Sequence, residues 1–189
     1  MKKFSRPFVQ LGLSVLGCAL LFTACTKGTK NASEKKVSLI HNNMSITMPI
    51  QLSNGDNDSI TSFYYKMNMD SFVKSYGQFD TSDIRTVKLK SCILNITNGD
   101  SLNNFRNLHT VNIGITSGAN DNITRMAVFT DIVDTNAYRL EMPGYFDPNL
   151  AAYYKDDSVR YRIYGNFRRA TTKSITGTAN IQVEVTLQK

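Results

Sequence analysis

The closing part of the chain carries the cleanest alternation of apolar and polar positions. In Ser158–Phe167 the set Val159, Tyr161, Ile163, Gly165 and Phe167 alternates with polar residues, and in Thr178–Leu187 the set Ala179, Ile181, Val183, Val185 and Leu187 does the same. A period of two marks a strand with one buried face, so both stretches are expected as long strands. Earlier, Met44, Ile46, Met48 and Ile50 alternate with Ser45, Thr47 and Pro49. Proline cannot donate to a ladder, which places the end of that strand at a sheet edge. Val87 and Leu89 hold one phase, then Cys92, Leu94 and Ile96 hold the other. A strand changes phase only by inserting a residue or crossing between layers, so a bulge is expected near Lys90 and Ser91.

Shorter extended runs are expected at Ile60–Lys66, Arg125–Thr130 and Tyr138–Met142, with a further strand whose face is His109, Val111, Ile113 and Ile115. Two helical interruptions stand out. Met69, Phe72, Val73 and Tyr76 have helical spacing with Gly77 behind them, and Asp147-Pro148 opens a short turn through Tyr154. Successive alternating strands with so little helix predict a mainly β fold, an antiparallel two-layer β-sandwich of jelly-roll or Ig-like type with one or two short helices.

The N-terminus breaks this pattern. Lys2, Lys3 and Arg6 precede an apolar run from Phe8 to Ala24, the layout of a secretory signal and too short for a comfortable membrane span. Residues 1–24 are expected as signal peptide, 25–36 as N-terminus and polar linker, and 37–189 as one sandwich domain. The formal charge of +7 falls to about +4 without the three signal cations, which argues against a nucleic-acid partner. Of the three cysteines, Cys18 leaves with the signal, so an intramolecular disulfide is not expected and Cys92 reads as a small core residue.

Leu21-Phe22-Thr23-Ala24-Cys25 resembles the lipobox of bacterial lipoproteins, with Phe22 in place of the usual aliphatic residue. That resemblance implies acylation of Cys25 and a durable tether through several acyl chains. Val15-Leu16-Gly17-Cys18 fits the same pattern, but it would leave an apolar tail after cleavage. Together with Val87–Ser91, Asn104–Leu108, the strand Val111–Ile115 and the ending Thr178–Leu187, the lipobox is similar to small uncharacterised outer-membrane lipoproteins of Bacteroidota. The resemblance implies a β-sandwich at the outer membrane and transfers no activity. The tether lacks the acidic run that resembles a surface-export signal in that group, which favours the periplasmic side.

Asp58-Ser59-Ile60, Asp100-Ser101-Leu102 and Asp157-Ser158-Val159 resemble the periplasmic O-glycosylation pattern of those bacteria, with Ser59, Ser101 and Ser158 as acceptors. Asp-Ser pairs also favour turns, and both readings stand. Asp56 and Asp58 read as turn residues, because the glycine and the downstream glutamate of a calcium loop are missing; no metal or cofactor is expected. His41 and His109 have no spacing to a nucleophile and read as core or rim residues. The strongest chemical feature is the outward face of the penultimate strand, Arg160, Arg162, Tyr164 and Arg168, with Arg169 and Lys173 beyond. Guanidinium donors and a stacking ring suit an anionic glycan or lipid head group, while alternate arginines also describe an ordinary solvated strand.

Three function classes follow. A non-enzymatic binding or structural lipoprotein comes first, an accessory or subunit of an envelope assembly of glycan-uptake or fimbrial type second, and a hydrolase built from distant loops third.

Overall fold

The computed structural model describes residues 33–50, 58–117, 120–143, 148–156 and 158–189. The signal segment, Cys18, Cys25, Asp56 and Asp147 lie outside the described residues, as does most of the expected linker. Among the described residues no helix is long and apolar enough to cross a membrane.

Among the described residues eight strands run in the order β1 (Glu34–Met48), β2 (Asp58–Lys66), β3 (Ile84–Ile96), β4 (Leu108–Ser117), β5 (Asn120–Phe129), β6 (Arg139–Pro143), β7 (Ser158–Phe167) and β8 (Ile175–Gln188). They form two four-stranded antiparallel sheets, β1-β8-β3-β6 and β2-β7-β4-β5. Four of the pairings, β1 with β8, β2 with β7, β3 with β6 and β4 with β5, are nested as in one long hairpin folded over on itself. Two more, β3 with β8 and β4 with β7, close each sheet. This is the jelly-roll form of the expected sandwich.

The core lies between the inner faces. The alternation of β7 and β8 is carried through: Val159, Tyr161, Ile163 and Phe167 are buried, and so are Ala179, Ile181, Val183, Val185 and Leu187. The pairing of β3 with β8 shifts register between Leu89 and Ser91, the bulge that its phase change demanded, and the buried set moves from Val87 and Leu89 to Cys92 and Leu94. Helix α1 (Met69–Lys74) is capped by Asn68, whose side chain accepts from the Ser71 amide, and Gly77 follows with φ +131°. A glycine is required there because other residues rarely adopt that backbone.

Several expectations need correction. β1 starts at Glu34, so residues 34–36 belong to a strand rather than to the linker. It is an edge strand ending just before Pro49, as expected, yet Ile50 falls outside it and is exposed. Its apolar phase breaks at Asn42–Asn43, where the register with β8 shifts and Asn43 takes φ +53°. Val37 and His41 face inward before the break; Met44, Ile46 and Met48 do so after it. His109 is exposed, because the register between β4 and β7 shifts between Leu108 and Thr110 and Leu108 takes the buried position. The turn expected from Asp147 is a 3-10 turn confined to Tyr153–Lys155.

Loops are fastened by side-chain amides. Among the described residues β6 pairs with Ser91–Asn95 of β3, and Asn149 bonds to the backbone of β3 nearer its start as a strand would. Its Oδ1 accepts from the Val87 amide at 3.1 Å and its Nδ2 donates to the Arg85 carbonyl at 2.9 Å, while the Leu150 amide donates to the Val87 carbonyl at 2.8 Å. A pairing-competent edge is thereby occupied. At one end of the sandwich Asn103, Asn104 and Asn107 are almost fully buried. Asn103 bonds to Asp100 and Thr172, and Asn107 donates to the carbonyls of Leu102 and Ala170.

Candidate functional site

The alternation of β7 sends Arg160, Arg162 and Tyr164 to the outer face of the second sheet. Directly opposed residues share a face in an antiparallel sheet. Arg160 lies between Tyr64 and Thr116, Arg162 between Ser62 and Gly114, and Tyr164 between Ser59 and Asn112. Gly114 in turn faces Arg125 of β5, and Asn112 faces Val128.

Gly114 shapes this surface. A Cβ added there would lie 2.4 Å from Ile123 Cγ2 and 3.2 Å from Tyr164 Cε1. The missing side chain lets Ile123 and Tyr164 settle onto the backbone of β4, and beside them lies a groove of about 680 Å³, lined by residues that include Arg162, Arg125, Tyr164, Asn112 and Ile123. That volume lies in the roughly 300–1,000 Å³ range of small-molecule sites. Among the described residues no aspartate or glutamate lines it. Arg162 is half-buried, and its Nε is shielded from water without a hydrogen-bond partner among the described residues. Tyr164 has its phenol pKa raised by burial, with the Arg125 charge pulling the other way.

The other arginines have different roles. Arg160 is held by its neighbours, with Nη2 donating to Ser62 Oγ at 2.9 Å and its guanidinium 5.3 Å from the centre of the Tyr64 ring. Arg168 does not extend the face. It lies beyond the end of β7 and donates to the Ile132 carbonyl at 2.8 Å and the Arg106 carbonyl at 3.4 Å, clamping the loop after β5. Arg169 pairs with Asp134 through both nitrogens of its fork, and Lys173 pairs with Asp100 at 2.7 Å.

A second polar cluster lies inside the sandwich. Tyr154 and Tyr161 share a hydrogen bond of 2.7 Å, and the Tyr161 hydroxyl reaches His41 Nδ1 at 2.8 Å. His41 stacks on Tyr65 with ring centroids 3.8 Å apart, and its Nε2 has no hydrogen-bond partner among the described residues. Tyr154 donating to Tyr161, and Tyr161 to Nδ1, leaves one polar group unmet; the reverse order leaves two, so the first is favoured. Burial lowers the His41 pKa to about 4 and pushes both phenols upward. Cys92 lies on the same inner face, across Ile181 from His41, and burial pushes its thiol up to about 12. The free cysteine is buried, in keeping with a core role. At neutral pH the cluster is uncharged, and its buried members are fully removed from water.

The three Asp-Ser sites fall in unlike places. Ser59 and Ser101 are exposed, and Ser158 is half-buried at the start of β7. Asp100 accepts from the amides of Leu102 and Asn103 and from the Asn103 side chain, which together with Lys173 holds its carboxyl well below the usual range. That is turn chemistry. Among the described residues no group of three or more His, Cys, Asp or Glu is arranged to hold a metal.

Strand pairing explains why the groove is only half visible in the sequence. Arg162 and Tyr164 follow from alternation within β7, but Arg125, Asn112 and Ile123 join them only through the order β7-β4-β5. The one local signal was Gly114, a glycine at an outward position between Ile113 and Ile115.

No protein-family model matches the chain, and no curated protein matches it. Solved structures are similar at low level. The infectious bursal disease virus Gt strain structure is 10% identical with a TM-score of 0.39, over 84% of this chain and 34% of that one. The decameric BFDV capsid protein is 8% identical with a TM-score of 0.34, over 82% of this chain and 99% of that one. This chain spans about a third of the length of the bursal disease virus chains it matches. Likeness of this degree carries no functional argument.

Proposed function

We propose that the chain is an envelope lipoprotein, tethered by acylated Cys25 on the periplasmic side of the outer membrane, whose jelly roll is a non-enzymatic binding module. The observation that carries the binding role is the outer-face groove, which Arg162, Arg125 and Tyr164 line and where, among the described residues, no carboxylate lines the walls. The tether rests on the lipobox-like Leu21–Cys25 following a charged and apolar leader. Metabolic labelling with a palmitate analogue tests the anchor. The wild type and Cys18→Ala are expected to take up label and sediment with membranes, while Cys25→Ala does neither; label on Cys25→Ala would refute the assignment.

Participation in a larger envelope assembly is the second reading, supported by β1. It is a fifteen-residue edge strand with one neighbour in its sheet, a geometry that accepts a partner strand. The kink at Asn42–Asn43 divides it, so only Glu34–His41 offers a long regular edge. Co-purification of a partner in fixed stoichiometry would favour this reading over a solitary binding module.

A further inference from the structure

The groove on the second sheet has a chemistry more specific than positive charge. Arg162 and Arg125 both oppose Gly114, one from each side. With strands about 4.8 Å apart, their Cα atoms lie about 10 Å from each other, and both side chains line the groove. Two long guanidinium arms so placed can take one anionic group between them. The rest of the lining among the described residues is neutral. Asn112, Thr110, Thr130 and Ser59 contribute groups that both donate and accept, as a polyol requires. Ile123 and Val128 add aliphatic surface beside the Tyr164 ring, suited to the C–H face of a sugar.

We infer that this groove is a subsite for a sugar residue bearing a carboxylate or sulfate, with the anion between Arg162 and Arg125 and the sugar ring over Asn112 beside Tyr164. The inference rests on the reading of the domain as a binding module and gives that module its ligand class. A nucleic acid would need a longer run of cations than the two that line the groove. A bilayer surface is a poorer fit, because Asn112 is only 4% exposed at the bottom of the recess. A single sugar unit can reach it where a plane of head groups cannot.

Calorimetric titration of the full chain in detergent tests this with three probes: trigalacturonate, a chondroitin sulfate tetrasaccharide and neutral maltotriose. At least one anionic probe should bind, and maltotriose should not. Arg162→Gln should weaken binding about tenfold or more, as expected for losing a charged hydrogen-bond donor. Arg139→Gln removes the same charge from β6 in the other sheet, where Arg139 pairs with Glu141 at 3.0 Å, and should leave affinity unchanged. Gly114→Ala should also weaken binding by displacing Ile123 and Tyr164 in the groove wall, and Arg162→Gln decides the matter if that variant folds poorly. Equal weakening by Arg162→Gln and Arg139→Gln, or equal binding of maltotriose, overturns the subsite. An anionic sugar bound equally by wild type and Arg162→Gln overturns the groove and leaves the binding module standing. Absence of saccharide binding up to about 10 mM, an affinity too weak for a specific site, overturns both.

Discussion

On the inner face of β7, Tyr161 has no contact with water and its hydroxyl is part of a chain with Tyr154 and His41. One residue further, on the outer face, Arg162 is half-buried and lines an open groove, with its Nε unpaired among the described residues. The two side chains are neighbours in sequence and are separated by the thickness of a sheet. A polar group satisfied inside the core contributes to the stability of one fold, whereas a guanidinium lining an open groove is available to a ligand. The period of two lets a single strand carry both, so stability and binding should be separately damageable.

The same contrast holds for glycines, and it yields the largest expected effect. Gly165 faces inward on β7, and a Cβ there would lie 2.0 Å from the Thr110 carbonyl oxygen, which is backbone. Gly114 faces outward, and its nearest obstacle is the Ile123 side chain. Gly165→Ala should therefore cost about 4 kcal/mol or prevent folding, with Gly114→Ala costing much less, as read by chemical denaturation. Equal losses would break the division between the faces.

Next in size is a pH effect confined to the inner face. The unfolded chain takes up a proton on His41 near pH 6.5, whereas the folded one resists until about pH 4. Between those values the unfolded state binds more protons, so stability is full above pH 6.5 and declines as pH falls towards 4. The loss approaches about 3 kcal/mol. Denaturation midpoints at pH 7 and pH 4.5 should show this decline in the wild type and a much smaller one in His41→Phe. Sensitivity retained by His41→Phe would place its origin elsewhere.

Legibility in the sequence followed the same line. The inner faces of β7 and β8 were readable because unbroken alternation is local. So was the bulge after Leu89, since a phase change within an apolar strand has few physical causes. The first half of β1 was hidden because Asn42 and Asn43 interrupt its alternation, which concealed that His41 points inward. Arg168 was misplaced for the reverse reason. It keeps the parity of Arg160 and Arg162, but the strand ends at Phe167 and parity has no meaning beyond it. Arg125 and Asn112 could not be joined to Arg162 at all, because nested pairing brings β4 and β5 beside β7 from distant parts of the chain.

The most direct test of the division is the thermal melting of wild type, Tyr161→Phe and Arg162→Gln, each with and without the anionic saccharide that binds the wild type. Tyr161→Phe strands the Tyr154 hydroxyl and His41 Nδ1, a loss of about 3 kcal/mol that lowers Tm by about 6 to 12 °C at this chain size. Its saccharide-induced rise in Tm should persist. Arg162→Gln should melt within about 2 °C of wild type, as expected for an outward substitution of up to roughly 0.5 kcal/mol, and should lose the rise. The opposite assignment, with Arg162→Gln destabilised and still responsive or Tyr161→Phe stable and unresponsive, would contradict the account.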